Sequence, residues 1–284
     1  MAVIQLEVDE RLYSSVDEFR ARIAALVDRA LANGQPDLIV FPEYTCAFLA
    51  LIPYRRAIEG SRSVAEAFEK ARAADPRFAS LRELFLQEAD GVERAIRDVF
   101  GTLARQHGAA MIAGTAFART RGSGSEELRN RAYVFASDGS LLYTQDKVSL
   151  TDFETDLLLV SPGSLEDART FSLAGARVGL TICRDTFMEE WETAFRGLDL
   201  WIDIKANGAP YTEEARQEFQ KALPERLPGS GVRYGITACL VGRLLDIVWE
   251  GESSFIELDS GVVRARARSE SWTGYQGLVV SLEL

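Results

Sequence analysis

The chain has 284 residues, 47% of them hydrophobic and 26% charged, the balance of an ordinary globular protein. A net charge of -11 argues against a nucleic-acid or anionic-membrane partner, either of which calls for a basic face. No apolar run approaches the ~20 residues of a membrane-spanning helix.

The chain opens on the strand-like AVIQLEV, with no basic region before an apolar one, so no secretion signal is expected. Helical spacing over Val16–Leu31 follows, closed by Asn33-Gly34, and then a strand, DLIVF, that stops at Pro42. The stretch from about 47 to 106 is charged and helix-rich, with Pro76 as a break. His107, the single histidine, sits in LARQHGAA before Gly108, a last-turn position favourable to the helix dipole.

AAMIAGTAF is again a strand, and RAYVFAS and LLYTQDK flank Asp138-Gly139, a hairpin signal. RTFSL and ARVGLTI around Ala174-Gly175, and SSFIELD and VVRARA around Ser260-Gly261, are two further hairpins. Between them Met188–Phe195 reads as helix, LDLWIDI as strand and Thr212–Lys221 as helix. GITACLVG and QGLVVSLE supply further strands. RARAR, ending at Arg268, has the period of a strand with a solvated face. Helix-linked strands mixed with three hairpins predict one α/β domain with mixed sheets over 1–284, since a purely parallel sheet contains no hairpins. No glycine-rich phosphate motif is present.

A chain of this size buries enough surface to need neither disulfide nor metal. Its three cysteines, odd in number and widely spaced, predict a reducing, cytoplasmic setting. With one histidine, a multi-His metal site is impossible, and any nucleophilic cysteine is expected to use a carboxylate as its base.

Three residues share one local setting. Glu43 follows DLIVF, Lys147 follows LLYTQ, and Cys183 follows VGLTI. Each stands just past the C-terminal end of an apolar strand, where α/β sheets place their ligands. Taken singly, a helix-start Glu, a solvated Lys and a core Cys are the ordinary readings. Together they are what acyl transfer without histidine requires. The thiol attacks only as thiolate. A Glu of raised pKa accepts its proton and returns it to the leaving amine. An ammonium beside a backbone N–H, here that of Arg184, holds the oxyanion.

FPE, the DK of QDKVSL, and GLTICRD, in this order, resemble the Glu-Lys-Cys motifs of the nitrilase superfamily of carbon–nitrogen hydrolases. AVIQLEV resembles the family's opening strand, and LARQHGAAMIAGTAF its helix, Gly and strand. Ser161–Gly163 and GESSFIELDSG resemble its later segments, so the likeness runs through nearly the whole chain. The resemblance implies a four-layer α-β-β-α sandwich with two mixed sheets, a homodimer or higher homo-oligomer, and a Cys thioester intermediate. It also implies a second Glu between the Lys and the Cys, which would orient Lys147 and a water. Glu154 is the natural candidate, with Asp152 and Asp156 as alternatives.

This sequence departs from the family at Arg184, beside the nucleophile, at Met188, where a Pro is usual, and over about 47–100, which is long for the family and is expected to be a helix-rich insertion forming a lid or an assembly surface. The Trp-Glu pair that follows the Cys in true nitrilases is absent after Cys183, where Arg184-Asp185 stand, which favours a small amide or N-carbamoyl substrate over a nitrile. No organic cofactor or metal is expected.

Tyr44, Arg184, Asp185, Phe187 and Asn207 are the candidate substrate contacts. Arg184 either pairs with a neighbouring carboxylate, grips a substrate carboxylate or lowers the pKa of Cys183. Asn207 serves a turn or the pocket. Cys46 and Cys239 are expected to pack. The competing expectations are acyl transfer to another nucleophile by the same Cys chemistry, and a catalytically silent scaffold on the same fold.

Overall fold

AVIQLEV forms β1 (Ala2–Val8), buried at every position but Glu7, as a strand covered on both faces at the centre of the molecule must be. A computed structural model describes residues 1–32, 34–121, 126–173 and 175–282. Asn33, of the expected helix stop, and Ala174, of one hairpin turn, lie outside the described residues.

After β1 come α1 (Val16–Leu31), β2 (Leu38–Val40), α2 (Arg55–Ile58), α3 (Val64–Ala74) and α4 (Leu81–His107). β3 (Ala110–Arg121), β4 (Glu126–Phe135) and β5 (Leu141–Asp146) form a meander. β6 (Phe171–Leu173), β7 (Ala176–Ile182), α5 (Glu190–Ala194) and β8 (Leu200–Lys205) follow. The chain continues through α6 (Glu213–Gln220), α7 (Leu223–Ser230), β9 (Tyr234–Leu244), β10 (Ile247–Trp249), β11 (Ser254–Asp259), β12 (Val262–Arg268) and β13 (Gln276–Val279).

Three helices start on the same device. Ser15, Ser63 and Ser80 each accept the N–H of a Glu three residues on, at Glu18, Glu66 and Glu83, each cap contributing about 1 kcal/mol. Gly108, at φ 62, ends α4 directly after His107.

One sheet runs β5-β4-β3-β2-β1 and the other β9-β8-β7-β6, with β11 and β12 added beyond β9. They are not separate. Leu6–Val8 of β1 pair in parallel with Leu240–Gly242 of β9, so hydrogen bonding passes from one sheet into the other. Between the sheets lies a dry layer that includes Val3, Val40, Ile112, Leu180, Ile202 and Ile236. Phe19, Ile23, Ile96 and Phe100 of α1 and α4 cover the outer face of the first sheet. Trp191, Phe195, Leu223 and Leu227 of α5, α7 and their connections cover that of the second around Trp201. The result is the four-layer α-β-β-α sandwich with mixed sheets.

The helix-rich stretch expected at 47–100 divides. α4 belongs to the helical layer on β3. The 3-10 helix Ala47–Tyr54, α2 and α3 stand outside that layer, with Phe48, Leu51, Ala67 and Phe68 gathered on Leu84 and Phe85 of α4. Among the described residues no helix is long and apolar enough to cross a membrane. The arginines of β12 alternate outward as expected, Arg266 and Arg268 reaching Glu257 and Glu252.

Candidate active site

Strand direction brings the three strand-end residues to one rim. β2 runs parallel to β1 and β3, and two antiparallel steps, β3 to β4 to β5, return β5 to that direction. In the other sheet β9, β8 and β7 all run with β1. The C-terminal ends of β2, β5 and β7 therefore share one edge of the sandwich. Glu43, Lys147 and Cys183 stand there.

The turn carrying Glu43 is folded around Gly114. β3 bulges between Ile112 and Thr115, with Gly114 at φ 72. A Cβ on Gly114 would meet the Pro42 carbonyl oxygen at 1.9 Å and Thr45 at 2.8 Å. The Thr115 Oγ1 accepts the N–H of Tyr44 at 2.9 Å, and Tyr44 itself takes φ 58, a strained conformation for a residue with a side chain. Glu43 is thus pushed inward and is completely buried.

Lys147 Nζ lies 2.8 Å from Glu43 Oε1 and 2.8 Å from Glu154 Oε2. An ammonium has three hydrogens, so one remains for a substrate oxygen. Burial opposes the charge on Lys147, but Glu43, Cys183 and Glu154 outweigh it, and its pKa rises above the usual lysine range.

Glu154 lies in a single π-helical turn, Phe153–Leu157, and is also completely buried. Tyr44 Oη and Asn130 Nδ2 donate to its Oε1 at 2.9 and 2.6 Å. The Thr151 N–H and Oγ1 donate to its Oε2 at 2.9 and 3.0 Å. Burial raises its pKa, yet Lys147 and these donors win and hold it below the ordinary value. With every lone pair engaged, Glu154 is built to hold Lys147 and not to exchange protons.

Glu43 is different. Its Oε1 accepts from Lys147 and from Asn130 Nδ2 at 2.9 Å, while among the described residues Oε2 accepts only the Ala206 N–H at 3.0 Å. Burial, helped by the nearby Glu154, raises its pKa against the pull of Lys147 and Asn130. A carboxylate with a free lone pair and a raised pKa suits a general base. Its protonation at low pH should place the acid limb of kcat/KM above the 4.5 of an ordinary Glu. Asn130→Leu removes a bond that stabilises the charged form, so the limb should move to still higher pH. A pH–rate profile of both proteins checks the sign.

Cys183 begins the 3-10 helix Cys183–Phe187 at φ 54, and its side chain is partly exposed. Burial and the Glu43 charge push the thiol up to about 12, against Lys147 and Lys205. The resting sulfur is therefore a neutral thiol, and Arg184 does not make it a thiolate. The Arg184 side chain is about half exposed, with Nη1 4.0 Å from Asp152.

Asp185, a candidate substrate contact, has a different task. It is completely buried and accepts from the N–H groups of Val148, Ser149 and Ile182 at 3.0, 2.6 and 3.3 Å. Its carboxylate ties the Cys183 turn to the Lys147 loop. Phe187 is partly exposed over Lys205.

A cavity of about 280 Å³ opens beside Glu43 and Lys147. Tyr44 and Asn207 line it, as do Phe48, Phe117, Phe153 and Trp249. Asn207 also serves its turn, donating from Nδ2 to Ala209 and Glu250 carbonyls. Sequence reasoning overlooks Asn130, although its alternation with the buried Leu128 and Ala132 marks it as facing inward. Cys46 and Cys239 are completely buried, their thiols on the carbonyls of Ala113 and Glu252.

The carbon-nitrogen hydrolase family model matches residues 1–274. A carbon-nitrogen hydrolase from Helicobacter pylori G27 is 21% identical, with a TM-score of 0.65 over 97% of this chain and 87% of that one. An amidase from Nesterenkonia sp. is 18% identical, with a TM-score of 0.65 over 98% and 89%. A mutant of the Nesterenkonia sp. AN1 amidase, with acrylamide added to its active-site cysteine, is 17% identical, with a TM-score of 0.64 over 99% and 92%. At such identities the likeness is one of fold. No curated protein sequence matches the chain. By the family match, which spans all but the last residues, the chain belongs to the carbon–nitrogen hydrolase family.

Proposed function

We propose that the protein hydrolyses a small neutral amide or N-carbamoyl compound through a Cys183 thioester. The observation that carries this reading is the buried Glu43–Lys147–Glu154 array, with one carboxylate lone pair and one ammonium hydrogen uncommitted, at the rim that holds Cys183. The amidase relatives support the reaction class.

The Cys183 thiol gives its proton to Glu43 Oε2 as sulfur bonds to the carbonyl carbon. Lys147 and the Arg184 N–H receive the oxyanion. Collapse of the tetrahedral intermediate breaks the carbon–nitrogen bond, and Glu43 returns the proton to the departing amine. Water then adds to the thioester, again losing its proton to Glu43, and the C–S bond breaks to release the acid and restore the thiol. The cavity wall is mainly apolar, with the rings of Tyr44, Phe48, Phe117, Phe153 and Trp249, and its charged groups are Glu43 and Lys147. That lining supports a neutral substrate with an apolar substituent over a carboxylated one.

The test is ammonia release from a panel of amides, carbamoyl amines and nitriles, with mass spectrometry of the protein. Turnover by wild type, an acyl adduct on Cys183 and silence in Cys183→Ala are expected. A Cys183→Ala protein that retains wild-type turnover would rule the mechanism out. Ligand binding without any adduct would favour a scaffold, and transfer of the acyl group to an added amine in preference to water would favour an acyltransferase.

A further inference from the structure

A second buried ion pair lies under the nucleophile, and the reaction scheme leaves it unused. In β8, Ile202 and Ile204 face the inter-sheet layer. Trp201, Asp203 and Lys205 therefore project from the opposite face, toward the helices. Asp203 is completely buried and Lys205 almost so, with Nζ 2.8 Å from Asp203 Oδ2. Lys205 Nζ also donates to the Cys183 carbonyl oxygen at 3.2 Å. The Phe187 and Phe219 rings cover the ammonium, their centroids 4.9 and 5.3 Å away.

A buried ion pair is often no more stabilising than apolar residues of the same volume. Its placement is the informative part. Cys183 sits at φ 54, a conformation that a residue with a Cβ holds only when its surroundings enforce it. The turn is fixed on its other sides as well. Asp185 accepts the Ile182 N–H, Thr186 Oγ1 lies 2.9 Å from Thr181 Oγ1, and Trp201 Nε1 donates to that same Thr181 oxygen at 2.9 Å.

The carbonyl that Lys205 holds belongs to the same peptide unit as the Arg184 N–H. In a planar trans peptide those two groups point in opposite directions. Fixing the oxygen toward the helical layer therefore aims the N–H away from that layer. A charge-assisted bond to the oxygen also polarises the amide and strengthens its donor.

We infer that Lys205, held by Asp203, is a positioning residue that fixes the Cys183–Arg184 peptide and so aims the backbone donor of the oxyanion site. This rests on the amidohydrolase reading given above.

The test uses the charge-neutral pair Asp203→Asn/Lys205→Met, because Lys205→Met alone strands a buried carboxylate and risks misfolding. Its crystal structure and its steady-state kinetics are compared with those of wild type. Complete loss of an oxyanion donor costs about 10²- to 10³-fold in kcat, so a misaimed one should cost at least about tenfold, with KM within about threefold. Cys183 should leave its positive φ, and Lys205→Arg, which keeps a cationic donor, should recover part of kcat. A folded double variant whose Cys183–Arg184 peptide has not moved, or whose kcat stays within about threefold of wild type, overturns the inference. Wild type that turns over none of the amides defeats the functional reading instead, and the crystallographic comparison then still decides what Lys205 does.

Discussion

Lys147→Met should abolish measurable amide turnover and also weaken the fold. In the wild type one ammonium pairs with both Glu43 and Glu154 at 2.8 Å each, and all three side chains are essentially excluded from water. Without it two buried carboxylates share one Asn130 amide. Breaking a buried pair by removing one partner costs about 3–5 kcal/mol. Glu43 then has two reasons to take up a proton, its burial and the uncompensated charge of Glu154, and a protonated Glu43 cannot accept one from Cys183. Loss of the oxyanion donor adds about 10²- to 10³-fold in kcat. Urea unfolding and ammonia release on the same preparation should both respond. The loss of stability should shrink as pH falls, because protonation relieves the stranded carboxylates. A variant with wild-type stability and turnover would mean that the array is not what organises the site.

Gly114→Ala should be nearly as damaging although Gly114 carries no side chain. Its φ of 72 costs a non-glycine residue about 1–2 kcal/mol. The new methyl would also fall 1.9 Å from the Pro42 oxygen, a backbone atom that can yield only by moving the Glu43 turn. A displacement near 1 Å at a reacting group can cost about 10²-fold in rate. The expected result is a lower melting temperature together with a kcat reduced by about tenfold or more, even where the variant is fully folded. Melting curves and kinetics separate the two effects, and unaltered kcat would show that the turn absorbs the methyl elsewhere.

Glu43, Lys147 and Cys183 are legible in the sequence because each is a chemically distinctive residue just past a strand that its apolar run makes plain. Their convergence is not legible. It depends on strand directions and on the β1–β9 seam, which are set by partners far apart in the chain. The three hairpins and the helix ending at His107 follow from local turn and cap chemistry.

α7 is hidden for the opposite reason. Pro224 and Pro228 in LPERLPGS suggest a break, yet Pro224 falls in the first turn, where no N–H is needed, and Leu223 and Leu227 supply the buried face. Nor does the strand pattern around Asp203 and Lys205 reveal their burial. Charges alternating with isoleucines read as a solvated strand face, and only the helices laid over β8 make them interior. Glu154 could be picked out from Asp152 and Asp156 only by folding, since the π turn buries it and leaves both aspartates exposed.

The burial that keeps the Cys183 sulfur protonated has a bearing on survival as well as on rate. Peroxides and other oxidants attack thiolates, and sulfenic acid formation tracks thiolate character and exposure. A cysteine pushed up to about 12 offers them very little thiolate, and in the proposed mechanism its base would take the proton only as a carbonyl carbon is attacked. A nucleophile activated in that way should also resist oxidation while it waits, which mass spectrometry of Cys183 after peroxide exposure would check.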